Sequence, residues 1–226
     1  MTDAHCHLPH GETRHFLCSP LAGERAAQDV LFVGTHPWWI DTFDESRMRE
    51  QLSADLRLGV GEIGLDRLRD RTISPRMREV FERQLRMAEE FRRPVVLHGA
   101  KCWGEVVKAV RGFAIPALLF HGFSRSDGLI PDIVALNGYI SVGPALLNDH
   151  AVNYRELARR IPVERLLVES DRTPENAAEF PSVTVVAAKL AELRGMPTDE
   201  LVAQLERNAE RFLAALPGIE KPHREV

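Results

Sequence analysis

The sequence predicts an α/β fold, a distorted (β/α)8 TIM barrel with a shortened second βα unit. Three observations carry this reading. Eight short apolar runs recur along the chain, near 2–6, 14–18, 30–34, 57–61, 94–98, 116–121, 138–142 and 165–169. Longer amphipathic stretches separate most of them. Runs such as Pro94-Val-Val-Leu-His98, Ala117-Leu-Leu-Phe-His121 and Arg165-Leu-Leu-Val-Glu169 are apolar at successive positions, as parallel strands buried on both faces must be.

Taken in order, the first run is followed by a crowded segment. Only 22 residues separate His7 from Val30, and they must supply the second strand and its crossover; Gly11, Pro20 and Gly23 interrupt them, so the helix there is expected to shrink to a loop. Helices are expected near 43–55, 74–91, 103–111, 127–136, 151–160, 182–194 and 198–214. The clearest runs from Ser74 to Phe91, with Pro75 at an early helical position and Met77, Phe81, Leu85 and Ala88 on one face. No repeat, linker or low-complexity tract divides residues 1–226, so one domain is expected, with Lys221 to Val226 as a loose tail.

Composition narrows the function classes. A chain of 226 residues with 44% hydrophobic and 27% charged residues can bury a full core. A formal charge of -4 argues against a protein that coats nucleic acid by positive potential, yet it leaves room for a nuclease whose metals add local charge. Three cysteines, Cys6, Cys18 and Cys102, match no thiolate cluster and suggest a reduced interior, and no run approaches membrane-spanning length. A cytoplasmic location is expected.

The chemistry lies at the strand ends. In Asp3-Ala-His-Cys-His7 the two histidines are two apart, so on a strand both imidazoles face one way while Cys6 faces the other. Glu62, His98, His121 and Asp171 end or closely follow later apolar runs. Four imidazoles and two carboxylates converging at a barrel mouth can hold two divalent metals, with Glu62 as the shared carboxylate. Each histidine alone would more often be a hydrogen-bonded structural residue; the constellation carries the argument. Basic residues follow four of these positions, Arg67, Lys101, Arg125 and Arg172, and suit a rim for anionic oxygens. Trp38 and Trp39 either stack on a nucleobase or pack beneath a loop.

These residues resemble the TatD family of metal-dependent deoxyribonucleases. D-A-H-C-H-L at 3–8, G-T-H-P at 34–37, G-E-I-G-L-D at 61–66, P-V-V-L-H at 94–98, F-H-G-F-S at 120–124, E-S-D at 169–171 and N-A-E-R-F-L at 208–213 follow in family order. The resemblance implies His5, His7 and Asp171 on one metal, His98 and His121 on the other, and Glu62 between them. It implies a further role for Asp171 in holding or deprotonating the attacking water, and places His36 against the substrate. The implied reaction is phosphodiester hydrolysis, of DNA or a small phosphodiester, most simply as an exonuclease. The implied cofactor is a pair of divalent ions, Zn, Mn, Mg or Fe, of which an imidazole-rich donor set favours Zn, Mn or Fe over Mg.

Lys101, Arg125, Arg172 and His36 are the expected substrate contacts. Ala100 stands where the family often has Arg, Gly122 where Cys is frequent, and E-S-D-R-T-P is one residue longer than the usual pattern. These departures fall in substrate-facing loops. Two other readings keep the fold: a two-metal hydrolase of a carbon–nitrogen or ester bond, and a non-catalytic metal-binding barrel.

Overall fold

A computed structural model describes residues 1–11, 13–18, 26–178 and 180–218. Eight parallel strands form one sheet in the order of the chain. They are β1 (Thr2–Cys6), β2 (Arg14–Leu17), β3 (Val30–Val33), β4 (Gly59–Asp66), β5 (Val95–Ala100), β6 (Leu118–Phe120), β7 (Gly138–Val142) and β8 (Leu166–Val168). The seam between last and first strand is held just beyond their ends. The Asp171 amide donates to the His5 carbonyl (3.0 Å), and the His7 amide to that of Arg172 (2.8 Å). The buried Asp3 carboxylate adds two bonds across it, accepting the Ser170 amide (2.9 Å) and hydroxyl (2.5 Å).

Seven α-helices lie among the described residues: α1 (Glu45–Ala54), α2 (Pro75–Glu90), α3 (Trp103–Val110), α4 (Ile130–Ala135), α5 (Val152–Arg160), α6 (Val183–Arg194) and α7 (Thr198–Leu213). Local chemistry sets their starts. Ser74 accepts the Met77 amide (3.0 Å) ahead of Pro75, and Asp44 accepts the Arg47 amide (3.0 Å), each satisfying a free donor of the first turn. The helix expected over 127–136 is divided. A 3-10 turn at Asp127–Leu129 precedes α4, because Pro131 has no amide proton and fits only a first turn. The reduced crossover reaches further than expected. Only seven residues, 7–13, link β1 to β2, with no helix among those described, while residues 19–25 of the second crossover lie outside the described set.

Alternation along the strands builds two apolar layers. Val95, Leu97, Leu118, Phe120, Ile140, Val142, Leu166 and Val168 pack outward against the helices. Their neighbours Val96, Leu119, Tyr139 and Leu167 join an inner cluster with Phe16, Phe32 and the α7 residues Phe212 and Leu213. Phe212 lies 5.5 Å from Phe16 and 5.7 Å from Tyr139 between ring centroids, closing the interior at the strands' N-terminal ends. Two residues further along the inward parity stand His98, His121, Ser141 and Glu169. The apolar residue fills the barrel and its polar successor faces the mouth.

Candidate metal centre

Strand β4 breaks the alternation, and the break positions Glu62. Val60 pairs with Val95 but Ile63 with Leu97, so β4 carries one extra residue between them. Val60, Ile63 and Leu65 therefore all pack outward, and Glu62, Gly64 and Asp66 face in. The expected strand of 57–61 accordingly starts two residues later and runs on to Asp66. Glycine is required for β4 to lie against β5 at this point. A Cβ on Gly64 (φ 157°) would stand 1.9 Å from the His98 carbonyl oxygen.

Glu62 is the hub. Its carboxylate oxygens lie 3.4 Å from Nε2 of His5, 3.4 Å from Nε2 of His7, 2.6 Å from Nδ1 of His98 and 2.7 Å from Nε2 of His121. Asp171, on a loop whose backbone enters the left-handed region (φ 52°), reaches His5 and His7 at 3.5 and 3.7 Å. All six side chains expected to hold metal are thus brought to one pocket at the barrel mouth.

Hydrogen bonds on the far side of each ring decide what it can offer. Nδ1 of His7 lies 2.6 Å from the Cys18 carbonyl, which can only accept, so Nδ1 carries the proton and Nε2 is a free lone pair. Nε2 of His98 donates to Asp66 (2.8 Å), leaving Nδ1 for the pocket. His36 is the opposite case. Its Nδ1 accepts the Trp38 amide (3.1 Å), so a neutral ring carries its proton on Nε2, 3.5 Å from Glu62. His36 is a donor into the pocket rather than a ligand. Burial, with His98 and His121 nearby, lowers its pKa to about 4 against the pull of Glu62, so the ring is neutral at neutral pH.

Whether these residues fit a divalent metal is tested by the buried polar atoms. Among the described residues, both ring nitrogens of His5 and Nδ1 of His121 are buried without a hydrogen-bond partner. Burial and His121 hold the His5 ring neutral, the form that binds metal. Nε2 of His5, 3.4 Å from Glu62 and 3.5 Å from Asp171, is placed as a nitrogen that a cation satisfies. The donor set fits.

The remaining electrostatics describe the protein without metal. Burial works against charge on both His121 and Glu62. Their mutual attraction outweighs it, lifting His121 to about 10 and holding Glu62 well below the carboxylate range. His98 is raised by Asp66 and Glu62 against its burial. Asp66 is held at about 2 by His98 and by the amides of Arg69 and Leu68, again against burial. Burial lifts Glu169 to about 7, where it accepts from the Ser141 hydroxyl and the Gly122 amide (2.7 Å). Asp171 stays below its ordinary value because His5 and His121 outweigh burial.

The expected basic rim divides. Lys101, directly after β5, and Arg125, on the loop after β6, are exposed, each with left-handed backbone (φ 57° and 58°). Arg125 borders an open cleft of about 1090 Å³ that runs from Glu169 and Asp171 past Gly143 to Tyr154 and Arg160. Arg67 is paired with Glu105 (2.5 Å). The Arg172 guanidinium donates to the carbonyls of Pro9 (3.1 Å) and Ala177 (3.2 Å) and so ties loops together. Asp66, Glu169, Ser141 and the Cys18 carbonyl are the site groups that sequence reasoning missed. Asp66 and Glu169 stood inside the quoted motifs, but nothing in the sequence told which ring each carboxylate meets.

Comparison with known proteins bears on this centre. The family described as TatD related DNase matches residues 19–214. The uncharacterized metal-dependent hydrolase YabD of Bacillus subtilis is 27% identical over 196 residues, covering 80% of this chain and 75% of that protein. The human 3'-5' RNA nuclease TATDN2 is 28% identical over 210 residues, 84% of this chain but only 28% of that longer protein. Among solved structures, Escherichia coli YjjV, a TatD homologue, superposes with a TM-score of 0.79 at 23% identity, over 93% of this chain and 96% of that one.

Proposed function

The chain belongs to the family of TatD-related DNases, and from that premise we propose that it is a divalent-metal-dependent hydrolase of phosphodiester bonds acting on single-stranded nucleic acid. The observation that carries the reading is the ring of His5, His7, His98 and His121 around Glu62, with one nitrogen of each ring turned inward and Asp171 alongside. His5, His7 and Asp171 would hold one cation, His98 and His121 a second, and Glu62 both. Two bound cations supply Lewis acidity at a phosphoryl oxygen and make a water acidic enough to act near neutral pH.

The chain's own groups do the rest. Asp171 is about half exposed at the mouth and ionised, which suits it to orient the attacking water and accept its proton. His36 offers its Nε2 proton to a non-bridging oxygen, while Lys101 and Arg125 meet the charge of the flanking backbone. The relatives' names support this chemistry: one is a metal-dependent hydrolase and one a 3'-5' RNA nuclease. Among the described residues no helix is long and apolar enough to cross a membrane.

The test is turnover by metal-loaded protein of a single-stranded oligonucleotide and of a chromogenic phosphodiester, alongside a panel of amides and carboxylic esters. We expect phosphodiester cleavage, abolished by His98→Ala and by Asp171→Asn. Turnover of the amide or ester panel alone, or of nothing with metal bound, sinks the reading.

A further inference from the structure

Two indole rings stand in solvent beside the metal centre. Trp38 is 42% exposed and Trp39 60%, whereas Trp103 is 4% exposed in the core. Leaving indoles in water forgoes the stabilisation that burying their apolar surface would give, and such a pair marks a surface meant to be covered. The turn that carries them is well held. Gln84 of α2 clamps Thr35 from both sides, accepting its amide (2.6 Å) and donating to its carbonyl (3.1 Å). The Trp38 amide donates to His36 Nδ1 (3.1 Å), the Trp39 amide to the His36 carbonyl (2.9 Å), and the Thr42 hydroxyl to the Trp39 carbonyl (2.8 Å).

This aromatic surface begins one imidazole away from the reacting groups. Trp38 meets His36 edge to face with centroids 5.1 Å apart, and His36 Nε2 is 3.5 Å from Glu62. One cation borders it, and a second begins the loop of the next strand over. Arg69, after β4, donates to the Trp38 carbonyl (3.4 Å), and Lys101 follows β5. Among the described residues neither joins an ion pair with a carboxylate, unlike Arg67. Rigid exposed aromatics flanked by unpaired cations are how proteins grip unpaired bases, whose π-faces stack whatever the sequence.

We propose that Trp38 and Trp39 form a stacking subsite for the unpaired nucleobases next to the phosphodiester held at the metal centre, with Arg69 and Lys101 facing the adjoining phosphates. The subsite rests on the phosphodiester reading above. It makes a single strand the preferred substrate, because a duplex keeps its base faces stacked on one another.

The test is steady-state cleavage, by metal-loaded protein, of a single-stranded oligodeoxynucleotide and of the same strand bearing abasic sites. Trp38→Ala and Trp39→Ala should each raise KM for the ordinary strand roughly 5- to 100-fold with little change in kcat, as expected for one lost stacking contact. Trp38→Phe should restore most of the loss, and the abasic strand should not distinguish the variants from the parent. In the parent, the ordinary strand should also quench the exposed indole emission, sparing Trp103.

An unchanged KM in both alanine variants overturns the subsite, as does an equal loss on the abasic strand, which would assign Trp38 only to supporting His36. Sedimentation showing a dimer that Trp38→Ala converts to monomer would instead give the surface to a second copy of the chain. Failure of the parent to cleave either strand or the chromogenic phosphodiester rejects the phosphodiester reading itself; turnover of that phosphodiester without strand cleavage, or strand cleavage with unaffected variants, rejects the subsite alone.

Discussion

Asp66 fixes the proton of His98 on Nε2 and so turns Nδ1 toward Glu62. An amide in its place accepts less strongly and no longer opposes the ring's desolvation. Asp66→Asn should therefore weaken metal affinity by about 10- to 100-fold, the usual cost of losing a carboxylate behind a ligand histidine; calorimetric titration of metal into stripped protein measures it. The same pocket predicts an inverted pH response without metal. His121, lifted to about 10, contributes stability that is full below about 6.5 and fades as pH rises toward its folded value. Glu169, lifted to about 7, acts in the same direction, since its favoured protonated form is lost on the same climb. Glu62, held low, contributes stability above about 4.5 that is lost as pH falls. His5 and His36, held neutral in the fold, cost stability below about 6.5, so metal-stripped protein should be most stable near pH 6.5 and melt earlier at pH 9. Metal competes with these protons, so the rise in Tm on adding it should grow over the same interval. A Tm of stripped protein that climbs from pH 6 to 9 would contradict this account of the pair.

At the scale of the element, β4 is where reading the sequence and reading the structure part company. A straight strand sets Val60 and Glu62 on one face, yet Val60 packs outward and Glu62 inward, because the extra residue inverts the parity between them. Alternation has no means of announcing a bulge, so the apolar run looked finished at Gly61 while the strand continued to Asp66. Strands β5 to β8 were legible because they keep parity. In Pro94-Val-Val-Leu-His98 and Ala117-Leu-Leu-Phe-His121, the histidine sits two residues beyond an inward apolar side chain. Gly64 is the residue on which the β4 solution turns. Gly64→Ala drives a methyl into the His98 carbonyl and imposes a backbone angle that L residues avoid. We expect a stability loss of about 2–4 kcal/mol by denaturant titration, together with weaker metal binding as β5 and His98 are pushed from Glu62. A loss of stability with metal affinity intact would show that the two strands can part without disturbing the pocket.

Across the whole molecule, the two ends of the barrel divide the work. The mouth gathers histidines and carboxylates whose meeting needed the fold to be seen; contacts such as Asp66 with His98 join residues 32 positions apart. The floor is apolar, and its composition was legible as core though its plug was not, since nothing in the α7 pattern says which strands Phe212 touches. Phe212 stacks on Phe16 and Phe32, meets Tyr139 edge to face and seals the interior far along the strands from Glu62. Phe212→Ala should open a cavity there and cost about 3–5 kcal/mol. Because the inner residues Val96, Leu119 and Leu167 lie between the cavity and the pocket, and the strands they stand on remain hydrogen-bonded to one another, metal affinity and phosphodiester turnover should stay at parental values below the lowered melting temperature. Guanidinium titration and metal calorimetry on the same preparation separate the two quantities. A fall in metal affinity in step with stability would mean that the floor transmits its packing to the mouth, and that stability and chemistry are not partitioned between the two ends.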